Sequence, residues 1–545
     1  MDYFDLGHYR RSISSPSAEA QLWFRRGLLW VYGFNHEEAI ACFDRTLQHD
    51  PACIMAQWGI AYAFGPNYNK PWEAFEPEEK PVALARAHRA IAAALEHIAT
   101  ADPVERALVE ALASRYPERA DIEDYGPYND AYADAMRGVY AAFPADLEIA
   151  SLFAEALMNR TPWQLWDLPS GQPADGADTL EAQAVLETAF DRLPGAWDHP
   201  GLLHMYIHLM EMSPTPERAL RQGDRLATLV PDAGHLIHMP THIDVLCGDY
   251  QNVVARNGAA IEADRRFVRR NGVDNFYTLY RCHNYHFKIY GAMFLGQKGV
   301  ALDTAEALIA DLPDDVVRPL ADWFEGFVPM KQHVLVRFGL WRDILAQPMP
   351  QDPDLFSVTT AMMHYARAVA LSNLDDIAGA ETERDAFLTA RDRVPATRML
   401  FNNTCLDILA VAEQMLRGEL EYRKGDVEMA FAHLRQSVVL DDTLPYDEPW
   451  GWMQPTRHAL GALLLEQGRH GEAEAVYRAD LGLDATLARA CQHPGNIWSL
   501  HGLHECLQRR GETVEILHIR QQLDRAAARA DVPIRASCYC RRDAA

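Results

Sequence analysis

The sequence lacks any long hydrophobic run. No stretch of roughly 18 or more apolar residues occurs, the length that a membrane-spanning helix needs. The amino-terminal residues MDYFDLGHYRRSISSPS also lack the apolar segment of a secretory signal peptide. The nine cysteines are scattered and odd in number, which is typical of proteins from a reducing cytoplasm. The sequence therefore predicts a cytoplasmic protein with no membrane partner.

Positive charge is scarce. Lys and Arg number 51 against 77 Asp and Glu, which gives a formal net charge of −26. A chain this acidic is repelled by nucleic-acid phosphates and by anionic lipid head groups, so neither is an expected partner. The rest of the composition, with 49% hydrophobic and 23% charged residues, is that of an ordinary globular protein.

Several common enzyme motifs are missing. The sequence has no phosphate-binding Gly-rich loop, no Gly-x-Gly-x-x-Gly after a strand and no Gly-x-Ser-x-Gly. These absences disfavour a nucleotide-dependent enzyme and a serine hydrolase. Two His-x-x-x-His pairs are present, reading HMYIH at 204–208 and HMPTH at 238–242. Neither has the Glu that follows the first His in zinc metalloproteases, so that reaction is not expected.

The two histidine pairs nevertheless form the most informative pattern in the chain. His238 follows His204 by 34 residues, and His242 follows His208 by the same number. A pair four residues apart lies on one face of a helix. If neighbouring helical repeats stack in parallel, the two pairs face the same side. The spacing therefore predicts a metal site built by imidazoles from two successive repeats.

The same length of 34 residues is one tetratricopeptide (TPR) repeat. Residues 18–51 carry aromatic, small and proline residues in the order and spacing of that repeat, at Trp23, Gly27, Trp30, Ala39, Phe43 and Pro51. On these residues the segment resembles the TPR superfamily. Similar marks recur at Gly418 and Ala430, at Gly461, Ala473 and Tyr477, and at Trp498 and Gly502. The resemblance implies an all-α fold, a superhelical solenoid of antiparallel helix pairs with a concave ligand groove.

The repeat marks divide the chain into four parts. We expect TPR-like helices over 1–160, an inserted loop rich in Pro, Gly and Asp over 161–178, central His-rich repeats over 179–313, and further repeats with a Cys-containing tail over 314–545. The chain also resembles large bacterial TPR proteins that share the His-rich middle, here HMYIHLME and GHLIHMPTHI, and a Ser-Cys-x-Cys tail, here SCYC. That resemblance implies no particular reaction.

The candidate ligands lie on one stripe of the predicted first helices of the repeats. The metal ligands expected first are His204, His208, His238 and His242. Candidates for additional ligands or for hydrogen bonds behind the ligands are Glu211, His235, His283 and His286. Glu155 and Tyr290 occupy matching stripe positions in neighbouring repeats and are the candidate catalytic residues, with Glu155 a ligand or a general base.

Neutral imidazole is the common protein ligand for transition metals, and a carboxylate-poor set favours copper or iron, with zinc as a further candidate. We therefore expect a metal-dependent enzyme, of oxidoreductase or oxygenase type, acting on a small molecule or peptide in the groove. The alternatives are a non-catalytic TPR scaffold that binds a partner peptide, and a metal-storage or metal-sensing protein. Homo-oligomer formation also stays open.

The tail holds the last candidate site. Cys538 and Cys540 could bind a soft metal or oxidise, but the plainer interpretation is two exposed thiols without a role.

Overall fold

The structure is a computed structural model that describes residues 3–273 and 275–542. Almost all of its regular structure is helical, as the sequence predicts. The chain divides into two compact units. Unit 1 comprises Met1–Ile243 and Glu262–Tyr277, and unit 2 comprises Asp244–Ile261 and Thr278–Ala545. Within each unit, many helices that follow one another along the chain pack against each other.

The first helices along the chain are α1 (Ala18–Tyr32), α2 (His36–His49), α3 (Ile54–Phe64), α4 (Glu79–Glu96), α5 (Pro103–Leu112), α6 (Gly126–Ala142), α7 (Leu147–Met158), α8 (Thr179–Arg192), α9 (Pro200–Glu211), α10 (Leu220–Leu226), α11 (Gly234–His238), α12 (Pro240–Leu246) and α13 (Tyr250–Asn271). Those up to α11 belong wholly to unit 1.

The helices of unit 2 that follow are α14 (Thr278–Leu295), α15 (Lys298–Ala310), α16 (Asp314–Val317), α17 (Ala321–Phe324), α18 (Met330–Arg337), α19 (Trp341–Ala346), α20 (Ser357–Asn373), α21 (Ile377–Arg391), α22 (Cys405–Lys424), α23 (Val427–Asp442), α24 (Thr456–Glu466), α25 (His470–Asp480), α26 (Ile497–Arg510) and α27 (Glu515–Ala527).

Strands are few in the described residues. β1 (Trp166–Asp167) pairs antiparallel with β2 (Gln172–Pro173) inside the predicted inserted loop, and β3 (Met399–Leu400) pairs antiparallel with β4 (Asn403–Thr404). Short 3-10 turns occupy Trp72–Ala74, Ile98–Thr100, Ala113–Arg115, Ala196–Asp198, Pro216–Ala219, Arg318–Leu320, Glu325–Phe327 and Arg489–Cys491. None of the helices in the described ranges is long and apolar enough to cross a membrane.

Polar residues begin many helices because their side chains accept the backbone N–H groups that a first helical turn leaves without partners. Ser17 caps α1, Asn35 caps α2 and Asp146 caps α7 in this way. Pro200 occupies the first turn of α9, where its missing N–H costs nothing.

The small residues of the TPR pattern act as contact points for aromatic rings in unit 1. Phe43 of α2 lies against Gly27 of α1 and Gly59 of α3. A Cβ atom added at either glycine would come within 2.5 Å or 2.6 Å of the Phe43 ring, respectively. One aromatic side chain therefore fixes the approach of a helix pair and of the next helix along the chain.

The same arrangement recurs in unit 2. The ring of Tyr477 on α25 would come within 2.5 Å of a Cβ atom at Gly461 on α24, and within 2.2 Å of one at Gly502 on α26. Leu434 of α23 packs in the same way on Gly418 of α22. These contacts confirm TPR-type helix pairs in both units.

Two helical segments are each divided into two short helices. Residues 330–350 form the two short helices α18 and α19, because Gly339 adopts a left-handed conformation (φ +64°) between them. His238 and His242 likewise stand on two successive helices. α11 ends at His238 and α12 begins at Pro240, where the missing proline N–H removes a helical hydrogen bond.

The interpretation of Cys538 and Cys540 as two exposed thiols is wrong. Cys540 is buried, Cys538 is partly exposed, and a disulfide joins their sulfurs. The reason is that arginine side chains of unit 2 donate hydrogen bonds to backbone carbonyls of the tail.

The glycine contacts predict opposite effects for two Gly→Ala substitutions. Gly59→Ala should lower the free energy of unfolding by about 1–3 kcal/mol, because its methyl group overlaps the buried Phe43 ring. Gly138→Ala, in α6, meets no atom within 4 Å and should raise it by up to about 1 kcal/mol through helix propensity. Urea unfolding followed by circular dichroism measures both; stabilisation by Gly59→Ala would contradict the packing.

Candidate metal centre

Helix α9 carries predicted ligands in a fully buried position. Every residue of α9 is buried, and His199 caps its start by accepting the Leu202 N–H at Nδ1 over 3.1 Å. Polar side chains on a helix that is buried on all sides need partners inside the protein. The orientations of His204 and His208 are therefore set by their hydrogen bonds.

A backbone carbonyl orients His204. Its Nδ1 lies 2.7 Å from the backbone oxygen of Tyr32. Since a carbonyl only accepts, Nδ1 carries the proton and Nε2 keeps its lone pair. Within residues 3–273 and 275–542 no hydrogen-bond partner reaches this buried Nε2. His204 thus has a neutral nitrogen atom of the kind that could bind a metal ion.

The carboxylate of Glu211 orients two further imidazoles. Its Oε1 accepts from Nδ1 of His208 at 2.9 Å, and its Oε2 accepts from Nδ1 of His242 at 2.6 Å. All three side chains are buried. Carboxylates bound in this way to the outer nitrogen of an imidazole orient metal-binding histidines in proteins. In the described part of the chain, Nε2 of His208 has no hydrogen-bond partner.

Two groups of potential ligands lie in unit 1. His204, His208 and His235 place one ligand atom each within 4.8 Å of one another, and so do His208, Glu211 and His242. The ring centroid of His204 lies 4.7 Å from the ring centroid of His208 and 5.0 Å from that of His235. The structure therefore brings His204 and His208 together with His235, an additional candidate, and it brings His208 and His242 together around Glu211, another additional candidate.

The other two expected ligands contact each other. Nε2 of His238 lies 2.8 Å from Nε2 of His242, although the two residues stand on different helices. The Thr241 hydroxyl donates to the backbone carbonyl of His238 over 2.7 Å and strengthens the junction between α11 and α12. Direct coordination by His238 and His242 stays a prediction.

Burial keeps these imidazoles neutral. It lowers the pKa of His204 and of His242 from about 6.5 to about 3. Burial, reinforced by the neighbouring histidines, also lowers the pKa of His208 and of His235 well below the ordinary value. A metal ion would therefore find deprotonated nitrogen ligands throughout the neutral pH range.

Aromatic rings enclose the histidines of unit 1. Phe34 stands in the turn between α1 and α2. Its ring centroid lies 4.6 Å from that of His204 and 5.4 Å from that of His235. Its backbone takes φ +54°, a conformation that costs energy for a large side chain. The ring of Tyr68 lies 4.8 Å from that of His208, and that of Trp163 lies 5.7 Å from it.

Phe34 also lines a cavity of about 190 Å³ in unit 1. The other lining residues are Asn35, His36, Glu37, Ile40, Ala63, Phe64, Gly65, Asn67, Lys70, Phe75, Glu79, Val82, Ala83, Phe276 and Tyr277. One phenyl ring is therefore shared by a small, largely apolar cavity and by the histidine cluster.

The candidate catalytic residues lie in different units. Glu155 is buried in unit 1, where it accepts a hydrogen bond from the Tyr62 hydroxyl at 2.6 Å, and burial raises its pKa. Tyr290 is buried in unit 2, with its hydroxyl 3.0 Å from Nε2 of His493, and burial raises its pKa well above the usual value. Their catalytic roles stay predictions.

The remaining candidates stand on α14 of unit 2. His286 places Nε2 2.8 Å from the Met453 sulfur, and the His283 ring packs at 4.6 Å on that of Phe401. Their coordination of a metal likewise stays a prediction.

Several contributors to the site have no signature in the sequence. The Tyr32 carbonyl and the Phe34 ring approach α9 from more than 150 positions away. Tyr68 and Trp163 sit in irregular segments outside the repeat pattern. Only packing shows these contacts, because backbone groups and aromatic rings in loops follow no helical period.

No protein-family model and no curated protein matches the chain. Among solved structures it is similar to the APC/C hetero-tetramer Cut9–Hcn1, at 12% identity, 94% coverage of this chain, 78% of that chain and a TM-score of 0.32. It is also similar to the human IFIT1 dimer with m7Gppp-AAAA, at 11% identity, 95% coverage of this chain, 92% of that chain and a TM-score of 0.30. A third similar structure is Naa15/Naa10 bound to HypK-THB, at 13% identity, 94% coverage of this chain, 71% of that chain and a TM-score of 0.23. The assignment of TPR-type helix pairs stands on the packing within this chain.

The lowered histidine pKa values predict that the metal-free protein loses stability as the pH falls below about 6.5. The unfolded chain then binds protons that the folded chain excludes. Each buried histidine therefore lowers the free energy of unfolding by up to about 1.4 kcal/mol for each unit that the pH falls. Thermal unfolding between pH 7 and pH 5 measures this slope. His204→Gln and His208→Gln together should flatten it, whereas His49→Gln, at an exposed position, should not. An unchanged slope in the double variant would contradict neutral burial.

Proposed function

We propose that this chain is a metal-dependent enzyme whose transition-metal ion is held by His204, His208 and His235. The observation that carries the proposal is the pair of buried Nε2 atoms on His204 and His208 that no described residue engages. A buried polar atom without a partner is costly, and a bound ion offsets that cost. His235 adds a third imidazole within the same 4.8 Å.

The surroundings of the three imidazoles fit this role. The Tyr32 carbonyl and the Glu211 carboxylate hold the Nδ1 protons of His204 and His208, so that the ligand atom of each is Nε2. Three neutral nitrogen donors without a thiolate favour copper, iron or zinc. Such an ion, when bound, supplies an electrophilic centre with open positions and, for copper or iron, one-electron chemistry.

Redox chemistry is favoured over hydrolysis because the two candidate carboxylates of unit 1, Glu211 and Glu155, already accept hydrogen bonds from other side chains. Glu211 accepts hydrogen bonds from two imidazoles, and Glu155 accepts one from Tyr62. A hydrolytic enzyme needs a general base within reach of the attacking water. Glu211 and Glu155, the two candidates for such a base, instead hold the side chains of other residues in position.

The cavity next to Phe34 supports a small-molecule substrate. Its size and its largely apolar lining suit a compact ligand, with Asn35, His36 and Lys70 as polar contacts. Lys70 is held 2.5 Å from Glu79, so its ammonium group has a fixed position at the cavity. Displacement of the Phe34 ring would connect this cavity with the imidazoles.

A non-catalytic scaffold is the second candidate, since the fold consists of TPR-type helix pairs. In that case the histidines would bind a partner peptide in an open groove. The burial of the imidazoles favours the metal site, because a peptide-binding side chain has to be accessible. Metal storage differs from both in requiring several ions per chain.

Metal content tests the proposal. Protein without an affinity tag, purified without chelator or reductant, should contain about one transition-metal ion per chain by mass spectrometry, before or after reconstitution with copper, iron or zinc. Changing His204, His208 and His235 together to Gln should remove the ion, whereas His49→Gln and His97→Gln, at exposed positions, should retain it. Glu211→Gln should weaken binding about 10–100-fold.

Glu155→Gln is the matched control for Glu211→Gln, since Glu155 is buried in the same unit but accepts from a tyrosine. It should leave the metal affinity unchanged. Absence of stoichiometric metal after reconstitution would overturn the proposal in favour of the scaffold. Retention of the ion by a folded triple variant would overturn the ligand assignment.

A further inference from the structure

The carboxyl-terminal tail of unit 2, residues 535–542, is bound inside the unit by its backbone. Arg337, which is buried, donates to the carbonyl of Ser537, and Arg423 donates to the carbonyl of Cys540. The Ser537 hydroxyl accepts from the Tyr477 hydroxyl at 2.6 Å and donates to the carbonyl of His458 at 2.9 Å. None of these hydrogen bonds uses a cysteine sulfur.

Two arginines after the cysteines hold the end of the tail. Arg541 pairs with Glu505 at 2.7 Å, and Arg542 pairs with Asp375 at 2.6 Å. Arg542 also donates to the backbone carbonyls of Ser372 and Asn373 at the end of α20. The positions of the two cysteines are therefore set by their neighbours.

This anchoring places both sulfurs beside a buried carboxylate. The Sγ atoms of Cys538 and Cys540 and one carboxylate oxygen of Glu419 lie within 4.8 Å of one another. Glu419 is buried on α22 and accepts from the Asn373 amide at 3.2 Å. The backbone N–H of Cys540 donates to the Cys538 sulfur at 3.2 Å, a bond that strengthens when the sulfur is a thiolate.

We propose that the reduced tail binds a zinc ion through Cys538, Cys540 and Glu419. Two thiolates and a carboxylate are ligands that zinc accepts in proteins. Together they carry three negative charges, so that one remains after a divalent ion binds, and the guanidinium of Arg423 stands at the carbonyl of Cys540 to offset it. Cys538 is partly exposed, so the ion has a route from solvent.

The site depends on the redox state of the tail. In the structure a disulfide joins Cys538 and Cys540. A small dithiol reduces it by thiol–disulfide exchange: its two thiols supply two electrons and two protons, the Cys–Cys bond breaks, two Cys thiols form, and the dithiol becomes a cyclic disulfide. Zinc then binds the two sulfurs with release of their two protons. Oxidation of the tail therefore excludes the ion.

Cobalt(II) substitution distinguishes this site from the histidine centre, because only thiolate ligands give a sulfur-to-cobalt charge-transfer absorption in the near ultraviolet. Full-length protein, reduced with dithiothreitol and then freed of it anaerobically, should develop this absorption at an intensity that corresponds to about one thiolate-bound cobalt(II) ion per chain. Zinc should abolish it. Protein that has not been reduced should lack it, and the triple Gln variant of His204, His208 and His235 should retain it.

Variants assign the ligands. Cys538→Ser and Cys540→Ser should each remove the band, and Glu419→Gln should weaken cobalt affinity by about tenfold or more. Cys247→Ser, at another partly exposed cysteine of unit 2, should leave it unchanged. Circular dichroism checks that each variant is folded. Absence of the band in reduced wild-type protein, or its persistence in folded Cys538→Ser, would overturn the proposal. Neither result bears on the histidine centre, whose test uses unreduced protein.

Discussion

The carboxylate of Glu211 is the constraint on which the histidine cluster of unit 1 depends. It is buried, and its two oxygens accept from Nδ1 of His208 and of His242. A buried carboxylate that is well hydrogen-bonded avoids much of the cost of losing water, and in return it fixes the rotation and tautomer of both rings. The Tyr32 carbonyl does the same for His204. The Nε2 atoms of His204 and His208 that remain without a hydrogen bond are donors that could hold a metal ion.

The sequence predicted the helices and their pairing because both follow local rules. Caps such as Ser17 and Asp146 mark helix starts. The pair of a glycine and an aromatic residue, such as Gly27 and Phe43, has the sequence spacing that close packing of two helices requires, and such pairs recur along the chain. The recurrence of histidine one repeat apart also located the cluster. The spacing of 34 residues also relates His208 to His242, and the structure brings these two together with Glu211. What the spacing could not supply was the closeness of His235 to His204 and His208, because His235 lies outside the two His-x-x-x-His pairs.

The rest of the site was beyond sequence reasoning because it rests on contacts across the chain. Phe34 reaches the imidazoles from the turn between α1 and α2, with a left-handed backbone that no periodicity signals. In unit 2 the tail was expected to be exposed, since a short polar segment after the last helix usually is. Instead, arginine side chains donate hydrogen bonds to the backbone carbonyls of Ser537 and Cys540, and these bonds hold the tail against the unit.

X-ray absorption at the zinc edge, on protein loaded with one zinc ion and carrying Ser at positions 538 and 540, tests the histidine centre most directly. The account predicts a first shell of nitrogen and oxygen donors with three imidazoles, at about 2.0–2.1 Å, and no sulfur. It also predicts loss of the imidazole scattering when His204, His208 and His235 are changed to Gln. Fewer imidazoles in the wild-type shell, or an unchanged spectrum in that folded triple variant, would contradict the account.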